Sequence, residues 1–163
     1  MRLIKRNIVI FATALLVACG GIDKLVLSMR AAVAFSTPLI SRLVAQGKLS
    51  QAKAEFIRQD FGDVTIALGV LGTDLDAAAG NKLQQVAAAQ KFSASVTAIY
   101  ARGHYGADPQ ILEAANLVND IAASIVAFFG GAPPSATSDG QQRKPTKGEI
   151  DAKIKALEGV LRR

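Results

Sequence analysis

One cysteine and one histidine bound the covalent and metal chemistry open to this chain of 163 residues. Cys19 has no second thiol to pair with, so no intramolecular disulfide can form. His104 lies in Arg102-Gly103-His104-Tyr105-Gly106, which puts a guanidinium, an imidazole and a phenol on one glycine-flanked loop. If the helices of the chain run alternately up and down, this loop shares an end with the helix that carries Glu55, Arg58, Asp60 and Asp63. Arg102, His104, Tyr105, Arg58 and Asp60 could then form a polar contact site for an anion, a polar headgroup or another protein. An acid–base role for His104 requires a carboxylate within hydrogen-bond reach and a concave pocket. The competing reading is a turn whose polar groups satisfy the ends of the helices around it.

Other chemistries lack their residues. The Cys/His sets of structural zinc are absent, and so are the Glu-x-x-His pairs of a di-iron bundle. Asp60 and Asp63 stand three apart, and Asp74 and Asp76 two apart, but no further ligand type accompanies them. No glycine-rich phosphate loop follows a strand. The serines are many and ungrouped, so no Ser-His-Asp set stands out. The expectation is a protein without catalytic residues, cofactor or metal.

The first 18 residues have the three parts of a secretory signal. Arg2, Lys5 and Arg6 give a positive start, Ile8 to Val17 an apolar run, and Ala18 a small closing residue. About ten apolar residues at ~1.5 Å each cover only about half of a bilayer core, which is short for a spanning helix. Leu16-Val17-Ala18-Cys19 resembles the lipobox of bacterial lipoproteins: a branched apolar residue, an apolar one, a small one, then cysteine. The resemblance covers roughly residues 1–21. It implies a diacylglycerol on the Cys19 thiol, cleavage before Cys19 and, often, acylation of the new amino group. Chains acylated two or three times are stably anchored, at about 0.8 kcal/mol per buried methylene. By the same resemblance, Gly20 in place of an aspartate favours an outer membrane where the organism has one.

The net charge of +6 is carried by the two ends. Arg2, Lys5 and Arg6 supply half of it, and residues 132–163 supply the rest, with seven bases against four acids. Residues 19–131 are neutral, without a basic patch interleaved with aromatics, so nucleic acid is not an expected partner. Alanine is abundant, tryptophan is absent, and strand-like alternation is hard to find. The fold class is all-α.

Helical periodicity organises the body. A first helix is expected from Asp23 to Gln46, kinked or restarted at Ser36-Thr37-Pro38 with Thr37 as cap. A second begins after Ser50 with the seam Ile57, Phe61, Val64, Leu68, Leu71, Leu75, whose steps of four and three suit packing on both neighbours. Gly62, Gly69 and Gly72 interrupt it. They admit either a close helix or an apolar ligand crevice near Gly69 and Gly72. The third, Lys82 to Arg102, has the weaker stripe Leu83, Val86, Ala89, Phe92, Val96, Ile99. The fourth starts at Asp108-Pro109 and runs to Phe129 through Ile111, Ala115, Val118, Ala122 and Ile125, widened by Ile121, Val126 and Phe128.

Residues 132–145 hold no apolar side chain larger than alanine or proline and read as a disordered linker. Thr146-Lys147-Gly148-Glu149 then fits a capping box, and Ile150, Ile154, Leu157 and Leu161 give the last helix one apolar face. A helix this short needs a surface: the bundle, a lipid headgroup layer or another protein.

The organisation read from sequence is a signal peptide at 1–18, a lipidated cysteine and tether at 19–21 and a helical bundle at 22–131. A linker at 132–145 and a basic amphipathic helix at 146–163 complete it. The bundle is expected to be an up-down-up-down four-helix bundle. The expected role is that of a cell-envelope lipoprotein anchored by acylated Cys19 in a lipid bilayer on the extracytoplasmic side. It would act on an envelope protein partner by contact. The alternatives are a ligand-binding lipoprotein with a crevice at Gly69 and Gly72, and an enzyme centred on His104.

Overall fold

The structure is a computed structural model that describes residues 22–132 and 143–163. The signal-like leader, Cys19 and Gly20-Gly21 lie outside the described residues, as does most of the segment read as a linker. Among the described residues six α-helices follow one another: α1 (Ile22–Ala34), α2 (Ser36–Ala45), α3 (Gln51–Ala77), α4 (Lys82–Tyr100), α5 (Pro109–Phe129) and α6 (Lys147–Arg162). A 3₁₀ turn, His104–Ala107, joins α4 to α5. The described residues contain no strand. The protein is an all-α helical bundle, with each helix packed on the next.

Local chemistry sets the helix ends. Pro38 has no backbone N–H, and its ring crowds the carbonyl four residues earlier, that of Ala34. The first helix therefore ends at Ala34, and α2 starts two residues later, at Ser36. Phe35 holds the junction in a helix-like conformation with no side-chain cap, so the cap expected at Thr37 is not used. Ser50 caps α3 by accepting from the Lys53 amide at 3.3 Å. Asn81 does the same for α4 through the Gln84 amide at 3.2 Å. Asp108 accepts from Gln110 at 2.8 Å and Ile111 at 3.3 Å, with Pro109 at the first helical position of α5. Gly130 ends α5 at φ +88°, where a side chain would be strained.

The expected seam of α3 is buried along its full length, from Ile57 to Leu75. In α4, Ala89, Phe92, Val96 and Ile99 are buried, whereas Leu83 at the first turn points to solvent. The stripe of α4 therefore begins later than its apolar spacing suggested. α5 is buried on more than one side, between α4 and α6. By length and composition alone it could cross a membrane, but here it is the central helix of the bundle.

α6 runs antiparallel to α5 and closes the bundle by packing on α1 as well. Thr146 and Glu149 cap it reciprocally, and those hydrogen bonds hold the Glu149 carboxyl below its ordinary range. Ile150, Ile154, Leu157, Val160 and Leu161 enter the common core. Lys153 Nζ donates to Ser124 Oγ at 2.9 Å, and Gln110 Nε2 donates to the Val160 carbonyl at 2.5 Å. At the far end, the Arg162 guanidinium sits 4.1 Å from the centre of the Phe35 ring, directly at the α1–α2 junction. Of the three surfaces that could have received this helix, the bundle receives it. The segment leading into it is held too: Lys144 lies over the Phe128 ring at 5.2 Å, and Arg143 pairs with Glu149.

Leu157 is 0 % exposed and Leu83 is 82 % exposed. Leu157→Ala therefore lowers unfolding free energy by about 2–5 kcal/mol. Leu83→Ala changes it by less than about 0.5 kcal/mol. Urea unfolding followed by circular dichroism checks both. Equal effects would mean that α6 is not part of the cooperative core.

Candidate functional site

Asp60 follows the seam residue Ile57 by one turn of α3 and precedes Phe61, so the helix turns its carboxylate inward. It is 1 % exposed, the most deeply buried ionisable group among the described residues. Opposite it, α4 ends at Tyr100, and Gly103 reverses the chain at φ +75°, a conformation that L side chains rarely adopt. The 3₁₀ turn then brings His104 and Tyr105 back onto α3.

The geometry is a closed clamp. Arg102 Nη1 donates to Asp60 Oδ1 at 2.9 Å and to Asp63 Oδ2 at 2.6 Å. His104 Nδ1 lies 2.8 Å from Asp60 Oδ2, so the carboxylate favours the tautomer with its proton on Nδ1. Both oxygens of the buried carboxylate are thus engaged, which is what an ionised group needs when it leaves water. Asp63 first, and then Asp60, favour the charged form of Arg102. Phe56 covers the imidazole, with ring centres 5.0 Å apart and planes 22° from parallel. Tyr105 packs between Phe61 and Tyr100 at 5.9 and 5.8 Å, and the Tyr100 hydroxyl donates to Asn116 Oδ1 on α5 at 2.7 Å.

Tyr105 is only 4 % exposed, and burial, followed by the negative charge of Asp60, raises its phenol pKa well above the ordinary value. Tyr105, expected in a polar contact site, is therefore a packing residue, pulled inward by the short 3₁₀ turn. Arg58 is not part of the cluster either. Two residues from Asp60, it projects ~200° around the helix. There it meets Glu55 at 3.5 Å. The structure thus brings together Arg102, His104, Tyr105 and Asp60, adds Asp63 and Phe56, and leaves Arg58 out. Phe56 stands outside the α3 seam, and a large aromatic off the buried stripe was the available clue in the sequence.

Gly72 faces α1: a Cβ there would meet Val26 Cγ1 at 3.7 Å, while Gly69 faces open space. Neither lines any of three surface grooves. One, of about 400 Å³, lies between α3 and α4 over Ile66, Val70 and Phe92. The Asp63–Arg102 pair stands at one end and Asp74–Lys91, paired at 2.9 Å, at the other. A second, of about 720 Å³, lies between α5 and α6 beside Leu112 and Leu117. The third, of about 440 Å³, borders the α3–α4 turn. His104 lines none of them. No group of three or more His, Cys, Asp or Glu is placed to hold a metal ion among the described residues.

No protein-family model matches the chain, and no curated protein or solved structure is significantly similar to it.

Two predictions follow from the clamp. Asp60→Ala removes two charge-assisted hydrogen bonds from a dry site and costs about 2–4 kcal/mol. Asp63→Ala, at the surface, costs about 1 kcal/mol or less. Thermal unfolding of the two variants measures the difference. The second concerns alkali. The Tyr105 phenol holds its proton more tightly in the folded chain than in the unfolded one. Below pH ~10 both states are protonated and stability is unaffected. Above it, only the unfolded state loses the proton, and stability falls by about 1.4 kcal/mol per pH unit until the folded-state pKa is reached. Tyr105→Phe removes that slope, seen as a flatter dependence of unfolding midpoint on pH above 10.

Proposed function

We propose that this chain is a lipoprotein of the bacterial cell envelope, held to the membrane through acylated Cys19. In this reading its helical bundle acts by contact with another protein and not by catalysis. The observation that carries the reading is the place of the single cysteine in Leu16-Val17-Ala18-Cys19, directly after a charged start and a short apolar run. The clamp supports the non-catalytic half. Asp60 is occupied by Arg102 and His104, His104 is stacked under Phe56, and Tyr105 is packed away, so these groups hold the α4–α5 corner in place. Localisation is itself a mechanism, because a tether that confines the bundle to a surface raises its effective concentration toward membrane-borne partners.

One observation favours a second reading. An imidazole whose Nδ1 faces a buried carboxylate at 2.8 Å has the orientation that a general base requires. An enzyme centred on His104 would use it so. The two readings part on His104→Gln: a structural histidine costs stability, whereas a general base costs turnover.

The anchor is tested by metabolic labelling with an alkyne fatty acid in a bacterial host. The native chain incorporates label and sediments with membranes. Cys19→Ser incorporates none and leaves the detergent-extracted lipoprotein fraction. Label retained by Cys19→Ser, or none on the native chain, overturns the lipoprotein reading.

A further inference from the structure

The α3–α4 groove has a feature that the clamp does not explain. Its α3 wall presents large apolar side chains to water, Ile66 at 67 % and Val70 at 40 % exposure. Its α4 wall presents small ones, Ser95 and Ala98. The charges are divided in the same way: the acids Asp63 and Asp74 stand on α3, the bases Lys91 and Arg102 on α4. Because the two helices are antiparallel, Asp63 is level with Arg102 and Asp74 with Lys91. Ile66 and Val70 are then level with Ala98 and Ser95.

We propose that this groove seats a second copy of the same chain, related by a two-fold axis running along the groove. Such an axis lays α3 of one copy over α4 of the other at the same height. Each Ile66 and Val70 then drops onto the partner's small residues, and each acid faces a base, turning two ion pairs into two alternating four-charge rings. The other face-to-face two-fold, across the groove, lays α3 on α3. It sets acid over acid, base over base and bulk over bulk, and is disfavoured on charge and on shape. Only the two-fold along the groove is self-complementary.

The size of the surface fits a reversible pair. From Asp63 to Asp74 the groove is about 17 Å long, and two helices make it about 20 Å wide. About 330 Å² per copy is less than a stable association buries, so the pair is a weak one. The dimer is therefore in exchange with monomer at micromolar concentrations or above. Its existence does not depend on the Cys19 anchor, although confinement to a membrane would favour it.

The test uses the full chain with a photoreactive benzoylphenylalanine at Val70, prepared as an equal mixture of unlabelled and ¹⁵N-labelled protein. Irradiation from micromolar to millimolar concentration is followed by peptide mass spectrometry. The expected product is a chain–chain adduct with mixed isotope labels, its crosslinks falling on α4 around Ser95. Ser95→Arg fills the small-residue side from a half-buried position that opens on the groove. It removes at least nine-tenths of the adduct while leaving the thermal unfolding midpoint in place. Absence of mixed-label adduct, crosslinks falling on α3 of the partner, or an adduct that survives Ser95→Arg would each overturn the proposal.

Discussion

The bundle depends on covering α5. Its face is too wide for one neighbour: Ile111, Ala115, Val118 and Ala122 make one stripe, and Ile121, Val126 and Phe129 extend it round the helix. In water each Ile, Val or Phe of that face would forfeit about 1.5–3 kcal/mol. α4 covers one side, and its contribution is modest because much of its surface is alanine and serine. The other side must come from elsewhere in the chain. α6 supplies it with five buried aliphatic residues. α6 must in turn be covered on its far flank, and α1 does this, which closes the ring. The break at Phe35 fits the same requirement: it lets α2 turn away onto α3 while leaving the Phe35 ring to meet Arg162 at the end of α6.

Asp60 is a second constraint, of a different kind. A buried carboxylate contributes little net stability, since the cost of leaving water offsets most of what its partners return. What it provides is uniqueness. Only one placement of the α4–α5 corner brings a guanidinium to one oxygen and an imidazole to the other, with Tyr105 seated between Phe61 and Tyr100. An apolar residue at position 60 would allow that corner to slide along α3. Alanine-rich helices, with few shape-specific side chains, have particular need of such a fixed point.

Much of this was legible in the sequence, and the reasons are local. Ser50, Asp108-Pro109 and Thr146-x-x-Glu149 mark helix starts because short polar side chains reach their own backbone, a contact that needs no tertiary information. The α3 seam was legible because buried apolar residues must recur at the helical period. Leu83 was misread by the same logic, since periodicity cannot tell that a first turn overhangs the neighbouring helix. At the site, the union of Arg102, His104 and Asp60 followed from antiparallel succession alone. The burial of Tyr105 did not, because it depends on the tight 3₁₀ turn. Arg58 was drawn in by nearness along the chain, though its azimuth on α3 turns it away. Docking of α6 had three admissible outcomes, and only the unfilled flank of α5 distinguishes them.

Polarity on this molecule is thus spent inward at one end and outward along one side. Asp60 and His104 are satisfied within the clamp, whereas Arg102 and Asp63 at its outer edge, with Asp74 and Lys91, sit at 32 to 63 % side-chain exposure around an apolar strip. An amphipathic strip bounded by ion pairs of fixed polarity is what the proposed contact between copies would use. Under the proposed anchor such contacts would become frequent without becoming tight, because confinement raises encounter and leaves the dissociation rate alone. The lipid would then supply concentration, the clamp a rigid corner, and the groove the specificity, each drawing on a different part of the chain.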